Sequence, residues 1–104
     1  MVYLIVRLKF QPPQEEKFIR TMQQDYLPLL VSRYKWHLFC SLKVQIGDLH
    51  EIMNIWRFER MEDFWNVRMT MLLDQQYMTA RRDLHALLVD EQISFATSLS
   101  DIPP

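Results

Sequence analysis

The chain has 104 residues, of which 49% are hydrophobic and 24% are charged, and this balance is typical of a globular protein with one domain. Twelve Lys and Arg residues against thirteen Asp and Glu residues give a formal net charge of -1, so there is no strong positive field to attract nucleic acid. We expect one domain over residues 1–100 and a tail over residues 101–104.

Cysteine content and hydropathy favour a cytoplasmic location. Cys40 is the sole cysteine, which excludes an internal disulfide, and no basic segment followed by an apolar run opens the chain. The longest apolar runs, Val2 to Val6 and Leu27 to Val31, are much shorter than the roughly 18 residues needed to cross a bilayer. We expect a cytoplasmic protein without a membrane span.

The glycine and methionine contents are unusual. Gly47 is the only glycine, which excludes the Gly-rich loops that bind phosphate groups. The seven methionines suit either a core with flexible gap-filling side chains or an adaptable apolar pocket. The core interpretation is the more frequent one for such chains.

The predicted elements begin with a strand and a helix. Val2 to Phe10 is rich in β-branched and aromatic residues, and Pro12 and Pro13 end this strand. Apolar residues then recur at spacings of three and four, which predicts an amphipathic helix with Phe18, Met22, Tyr26 and Leu29 or Leu30 on its apolar side. Pro28 is expected to kink or end this helix.

A β-hairpin is predicted next. Residues 34–45 alternate in polarity, with Trp36, Leu38, Cys40, Leu42 and Val44 on one face and His37, Phe39, Ser41, Lys43 and Gln45 on the other. Gly47 lies where a reversal needs a positive φ, and Leu49 to Phe58 resumes strand character.

The remaining elements complete a known arrangement. Arg60 to Leu73 and Gln75 to about Asp90 are predicted to be helical, with Asp74 as the N-cap between them, and Ile93 to Leu99 is predicted to be a closing strand. The order strand, helix, strand, strand, helix, strand predicts an α+β protein with a ferredoxin-like βαββαβ antiparallel sheet and helices on one face.

The face of the sheet opposite the helices is expected to be apolar. It would carry Leu4, Val6, Leu8 and Trp56, and an apolar area of that size usually marks an interface. Two such sheets closed face to face form a barrel that hides both faces. We therefore predict a homodimer, a dimeric α/β barrel around a hydrophobic pocket.

Several short strings are more specific than the order of elements. Met1-Val2-Tyr3 opens a strand that ends in Gln11-Pro12, and Gly47-Asp48-Leu49 leads into a strand that closes on Trp56-Arg57-Phe58. These strings resemble the NIPSNAP family of the dimeric α/β barrel superfamily. The family pattern continues with a helix carrying an arginine and then an Asp-x-x-aromatic step, and this chain has Arg68, Asp74 and Tyr77 there.

The departures from the family pattern concern the pocket. Members usually carry charged residues and tyrosine at alternate positions of the first strand, and often histidine two residues before the tryptophan of the third strand. Here those positions hold Leu4, Val6, Leu8 and Asn54. The resemblance therefore implies a pocket that is more apolar than in its relatives.

Histidine titrates near neutrality without perturbation, so the three histidines are candidates for acid–base chemistry. His37 shares a predicted face with Phe39 and Ser41, and it is either a general base in the pocket or an exposed strand residue. His50 is expected at the rim or in solvent, and His85 is expected on the solvated face of the last helix.

Metal and covalent chemistry have little support. No histidine pair and no Cys-x-x-Cys run has metal-ligand spacing, so we expect no metal and no other cofactor. Haem stays open, because one histidine suffices as an axial ligand. Cys40 is expected to be a small buried hydrophobe rather than a nucleophile, and Ser41 lacks a Gly-x-Ser-x-Gly elbow.

The polar candidates come from the third strand and the helices. By the resemblance, Asn54 points into the barrel, where an unpaired buried amide costs about 1–3 kcal/mol and needs a ligand, a water or a neighbour. Arg68 and Tyr77 are expected at the mouth of the cavity. An equal alternative for Arg68 is an ion pair with Asp74 or Asp63.

Two functions follow from these expectations. The resemblance implies a cofactor-independent enzyme that cyclises, isomerises or oxygenates a hydrophobic small molecule, such as a polyketide or terpenoid-like natural-product intermediate. The alternative is a non-catalytic domain of the NIPSNAP type that binds a small molecule or a protein. The predicted catalytic residues are Asn54, His37 and Tyr77, and the predicted substrate-binding residues are Leu4, Val6, Leu8, Trp36, Trp56 and Arg68.

Overall fold

Four antiparallel strands form one sheet in a computed structural model that describes residues 1–46 and 49–99. The strands are β1 (Val2–Phe10), β2 (His37–Ile46), β3 (Leu49–Phe58) and β4 (Leu88–Thr97), and their order across the sheet is β2-β3-β1-β4. The predicted ferredoxin-like sheet is confirmed. The predicted turn at Gly47 and the predicted tail over residues 101–104 lie outside the described residues.

The central strand, β1, fixes the register of the sheet. Leu4 lies opposite Trp56 of β3 and Phe95 of β4, and Val6 lies opposite Asn54 and Ile93. Side chains of a strand alternate between the two faces, so these partners share one face of the sheet.

Helical segments cover that face. A 3₁₀ turn (Pro12–Gln14) leads into α1 (Glu15–Thr21), which continues as π-helical segments Met22–Tyr26 and Leu29–Arg33. The other helices are α2 (Met61–Leu72) and α3 (Gln75–His85). Among the described residues, no helix is long and apolar enough to span a membrane.

The first helix does not end at Pro28. Pro28 keeps helical angles, with φ of -60° and ψ of -33°, and the chain stays helical to Arg33. Proline removes one backbone donor and crowds the carbonyl four residues earlier. π-Helical segments lie on both sides of Pro28, and such segments are a usual site of helix bending.

The predicted boundary between the last helix and the last strand was wrong. α3 ends at His85 rather than near Asp90, and β4 begins at Leu88 rather than at Ile93. Leu88 already pairs with Phe10 of β1. A short apolar run fits a helix or a strand equally well. Here its pairing with β1 makes residues 88–90 part of the strand.

The prediction of which sheet face is bare was also wrong. Leu4 is 3% exposed, and Leu8 and Trp56 are each 1% exposed, because the helices cover this face. We call it the inner face. The opposite, outer face carries the odd-numbered residues of β1 and β3, including Tyr3, Ile5 and Ile55.

A β-bulge at Phe39 reverses the alternation of β2. Leu38 lies opposite Trp56, but Cys40 lies opposite Ile55, one residue out of step. An extra residue shifts every later side chain to the other face. Cys40 therefore lies on the outer face and is partly exposed, not buried beside Trp36 as predicted.

Candidate functional site

A cavity of about 360 Å³ lies between the inner face of the sheet and the helices. Its floor is apolar and comes from β1 and β3, with Leu4, Val6, Leu8 and Trp56. Aromatic side chains from the surrounding elements form its walls; they are Tyr26, Trp36, Phe64, Trp65, Tyr77 and Phe95. The structure thus brings all six predicted substrate-binding residues to one cavity, since Arg68 also lines it.

The walls are held by aromatic packing. The rings of Trp36 and Trp56 meet edge to face at 5.4 Å, and Phe64 meets Phe95 in the same way at 5.1 Å. Edge-to-face pairs add about 0.5–1.5 kcal/mol beyond the area that they bury. The cavity is therefore bounded by rings whose positions are fixed by their neighbours.

Asn54 is the polar group deepest in the cavity, with 1% of its surface exposed. Its Oδ1 accepts a hydrogen bond from Ser41 Oγ at 2.6 Å, and its Nδ2 donates to the sulfur of Met22 at 3.4 Å. Sulfur is a weak acceptor, and an amide nitrogen carries two donors. Asn54 therefore keeps hydrogen-bonding capacity that a ligand can use.

Two tyrosines and an arginine form a second polar group on the helix side. Arg68 Nη1 donates to Tyr77 Oη at 3.1 Å, and the rings of Tyr26 and Tyr77 lie 6.0 Å apart. Burial, and secondly the neighbouring Tyr77, raise the pKa of Tyr26 well above its ordinary value of 10.0. Tyr26 is therefore a neutral hydroxyl at physiological pH.

Trp36 contributes an indole N–H without a partner. The side chain lines the cavity and is 7% exposed, and its Nε1 has no hydrogen-bond partner among the described residues. A buried donor without a partner costs about 1–3 kcal/mol. Such an orphan donor beside a cavity is a candidate for contact with a ligand.

The opening of the cavity lies between α2 and β4. Trp65 of α2 and Ile93 of β4 both line the cavity, yet they are 57% and 55% exposed. Arg81 and Glu91 also line it. Glu91 Oε2 lies 3.0 Å from His85 Nε2.

The structure does not bring His37 to the cavity. His37 lies opposite Arg57 on the outer face, is exposed, and accepts a contact at 3.1 Å from Arg57 Nη2. The predicted face was wrong because the bulge at Phe39 lies between His37 and Ser41. His37 is therefore on the outer face and Ser41 on the inner face. A role for His37 as a base inside the cavity has no geometric support.

The other two histidines are more enclosed than predicted. His50 lies on the inner face with its side chain 13% exposed, and its Nδ1 is 3.1 Å from Glu15 Oε1. The side chain of His85 is 33% exposed, beside Glu91. None of the three histidines lines the cavity, so none is placed as an axial ligand for a haem within it.

Asp74 and Asp63 have partners other than Arg68. Asp74 caps α3, as predicted, by accepting from the backbone N–H of Gln76 and of Tyr77, and it also pairs with Arg33 at 2.7 Å. Asp63 lies 3.8 Å from Arg60. Arg68 therefore pairs with neither aspartate, and its side chain lines the cavity.

No cluster of three potential metal ligands occurs within residues 1–46 and 49–99. The polar groups on the described lining of the cavity are hydroxyls, an amide, an indole N–H, guanidiniums and one carboxylate. These groups can orient a ligand, polarise a carbonyl and exchange a proton.

Eight residues that line the cavity were not among the predicted site residues: Tyr26, Leu30, Phe64, Trp65, Arg81, Glu91, Ile93 and Phe95. Tyr26 was assigned only to an apolar helix side, and Glu91 fell between two predicted elements. Pairing of β4 with β1 places Glu91 opposite Leu8 and Phe95 opposite Leu4. An earlier start of the predicted strand would have included Glu91, whereas Phe95 already lay within it and only its pairing with Leu4 was missing.

The fold and the position of the cavity define a class, the ferredoxin-like α+β proteins. A dimeric ferredoxin-like protein from an uncultured marine organism matches with a TM-score of 0.70 at 14% identity, over 99% of this chain and 91% of that one. A putative antibiotic biosynthesis monooxygenase from Nitrosomonas europaea matches with a TM-score of 0.69 at 13% identity, over 96% of this chain and 100% of that one.

Within this class, the chain has the fold of NIPSNAP proteins. An uncharacterized NIPSNAP domain protein from Burkholderia xenovorans superposes over 100% of both chains with a TM-score of 0.85 at 14% identity. The resemblance drawn from the sequence strings is thereby confirmed at the level of the fold. No family model matches the chain, and no curated protein matches it.

Proposed function

We propose that the cavity binds a hydrophobic small molecule, such as a natural-product intermediate, and that the chain acts on it as a cofactor-independent enzyme. The observation that carries the proposal is an apolar cavity of about 360 Å³ into which a few polar groups converge. Small-molecule sites have this character: concave, mostly apolar and within roughly 300–1,000 Å³.

The chemistry that suits these groups is cyclisation, isomerisation or oxygenation of a bound carbonyl compound. The aromatic walls desolvate and fold the substrate, and positioning alone supplies much of the rate enhancement in such reactions. Asn54 and Tyr77 orient the substrate by hydrogen bonds. The putative antibiotic biosynthesis monooxygenase from Nitrosomonas europaea, which shares the fold, is consistent with this class of reaction.

Proton exchange is assigned to the tyrosines and Glu91. Tyr77 accepts from Arg68, which leaves its own O–H proton for donation to a substrate oxygen. Glu91 is the only carboxylate among the described residues that line the cavity; its Oε2 contacts His85, and its Oε1 is the proton acceptor that we assign. His37 lies on the outer face, so we assign it no role as a general base in the cavity.

A non-catalytic binding domain is the second candidate. It is favoured by one observation: none of the three histidines lines the cavity, and histidine is the usual general base at neutral pH. Under this alternative the same cavity holds a ligand without turnover.

We also propose that two copies pair through their outer sheet faces. In that part of the chain that the structure describes, no helix covers this face, and it carries Ile5, Phe39, Leu42, Met53 and Ile55. Phe39 is 52% exposed and Leu42 is 48% exposed. The marine protein of the same fold is described as dimeric.

Binding is tested with N-phenyl-1-naphthylamine, a neutral apolar dye that fluoresces in an apolar environment. Val6→Phe fills the cavity from its floor, and Val31→Phe is the matched control at an exposed valine outside it. We expect Val6→Phe to weaken dye binding by about tenfold or more, since overpacking costs about 1–3 kcal/mol, and Val31→Phe to leave it unchanged. Equal affinity of Val6→Phe and the wild type would overturn the proposal.

Catalysis is tested on compounds that displace the dye. If one of them is converted by the wild type, Asn54→Ala is expected to reduce the turnover while the oligomeric state stays the same. Unchanged turnover would remove Asn54 from the mechanism. The absence of turnover for every tightly bound compound favours the binding domain.

A further inference from the structure

Two arginines line a cavity whose walls are otherwise mostly apolar. Arg68 of α2 and Arg81 of α3 both line it, and both are only partly exposed. Within residues 1–46 and 49–99, no carboxylate lies within salt-bridge distance of either guanidinium. A partly buried charge without a counter-ion is unfavourable, and such charges are usually paired.

Other arginines of the chain make a contrast. Arg33, Arg60 and Arg82 each have a carboxylate partner, although 45%, 73% and 76% of their side chains are exposed. Pairing at such exposed positions contributes little to stability. Arg57 is also partly exposed without a carboxylate partner among the described residues, but it lies over the Phe39 ring on the outer face. Arg68 and Arg81 are therefore the two such arginines at the cavity.

Glu91 does not balance the two arginines. It is the one carboxylate on the described lining, and its Oε2 is 3.0 Å from His85 Nε2. Two guanidiniums therefore face one carboxylate that already has a partner.

The neutral polar groups of the cavity also offer donors rather than acceptors. Trp36 Nε1 is buried without a partner, and Tyr77 Oη accepts from Arg68 and keeps its proton for donation. Asn54 Nδ2 makes only a contact with sulfur. A ligand that satisfies these groups is rich in acceptors.

The spacing of the residues puts the charge near the opening. Arg68 follows Trp65 by three residues on α2, so the two share a helix face. Arg81 of α3 is itself partly exposed and lines the cavity together with Glu91 and Ile93 of β4. Trp65 is one of the two most exposed residues of the lining. The arginines thus lie between the apolar floor and solvent.

From this arrangement we infer that the ligand is an amphipathic monocarboxylate, with a hydrocarbon or aromatic body on the floor and a carboxylate held by Arg68 and Tyr77, near Arg81. This inference rests on the proposed binding function and names the class of its ligand. Arginine suits the task because its planar fork matches a carboxylate with two parallel hydrogen bonds.

Three ligands of equal chain length test the inference: decanoate, decanol and decylammonium, each competing with N-phenyl-1-naphthylamine at pH 7.5. Arg68→Met removes the charge and keeps the length of the side chain, and Arg82→Met is the matched control outside the cavity. We expect Arg68→Met to weaken decanoate by roughly tenfold or more, the usual effect of losing a charged hydrogen bond, and to change decanol by less than about twofold.

The outcomes separate the two proposals. Equal losses for decanoate and decanol in Arg68→Met, or wild-type competition by decylammonium as strong as by decanoate, would overturn the inference and leave the apolar binding site standing. Failure of the dye itself to bind would overturn the binding function. If Arg68→Met does not fold, Arg81→Met serves in its place, and an unchanged affinity for decanoate there overturns the inference.

Discussion

Ser41 Oγ lies 2.6 Å from Asn54 Oδ1 across the β2–β3 pair, and this contact exists only because of the β-bulge at Phe39. Without the extra residue, Ser41 would lie on the outer face, and the amide of Asn54 would have no hydroxyl partner. A local irregularity of one strand therefore sets the polar centre of the cavity.

Asn54→Leu is expected to keep the stability of the protein within about 1 kcal/mol of the wild type, because it replaces a buried amide by an apolar side chain of similar shape, and Ser41, which loses its partner, is exposed and can bond to water. Thermal unfolding followed by circular dichroism measures this. Asn54→Ala is the comparison, and its cavity is expected to cost about 2 kcal/mol or more. A Leu variant as unstable as the Ala variant would show that Asn54 is held for structure.

Much of the fold follows from the sequence, and the reasons for the exceptions are physical. The bounds of β1, Val2–Phe10, were predicted because proline ends the alternating run. The face of β1 that packs against the helices was not predicted correctly, since both faces of β1 carry apolar residues such as Leu4 and Ile5. Hydrophobicity alone gives no direction to such a strand.

Some of the cavity residues could likewise be predicted from the sequence, and others could not. Asn54 and Trp56 were expected to share a face, and their parity on β3 fixes this. The place of His37 was not predictable, because no residue type marks the bulge at Phe39. Arg81 and Glu91 meet at the cavity through tertiary packing of α3 and β4, which a single sequence does not reveal.

Because of Asp74, the stability of the folded protein is expected to fall at low pH. Hydrogen bonds from Tyr34 and Arg33 lower the pKa of Asp74 from 3.8 to about 2. Its folded pKa is below its unfolded value, so its contribution is complete above about pH 4 and is lost as the pH falls towards 2.

Asp74→Asn keeps a good N-cap residue and removes this charge. We expect its unfolding temperature to lie below that of the wild type at pH 6, and the difference to shrink between pH 4 and pH 2. Asp83→Asn is the control at an exposed helical aspartate. A difference that is constant from pH 6 to pH 2 would contradict the assignment.

Lys35 has a backbone φ of 61°, in the left-handed region, at the end of the first helical segment. This conformation costs a non-glycine residue about 1–2 kcal/mol. Lys35→Gly is therefore expected to stabilise the protein by up to about 1 kcal/mol, after the entropic cost of glycine is subtracted. Chemical denaturation measures the change.

Lys17→Gly is the control for this substitution, because Lys17 is exposed within α1. It is expected to destabilise the protein by about 1 kcal/mol. Loss of stability in both variants would mean that the turn at Lys35 carries no strain. The turn matters for the cavity, since Trp36 N–H donates to Leu30 O at 2.9 Å directly after it.

Leu42→Asp tests the proposed pairing of outer sheet faces. A charge placed in an apolar interface without a partner is expected to weaken the dimer by about a hundredfold or more. Light scattering after size-exclusion chromatography reads the mass. Met69→Asp, on the exposed side of α2, is expected to leave the mass of the dimer unchanged. A wild-type monomer at high concentration, or a stable Leu42→Asp dimer, would contradict this pairing.

We propose that the cavity between the sheet and the helices holds a ligand. A crystal structure of the protein saturated with N-phenyl-1-naphthylamine tests it most directly. We expect the dye to lie on the floor formed by Leu4, Val6 and Trp56, with its rings beside Phe95. A cavity filled by its own side chains, with the dye bound only on the outer face, would contradict it.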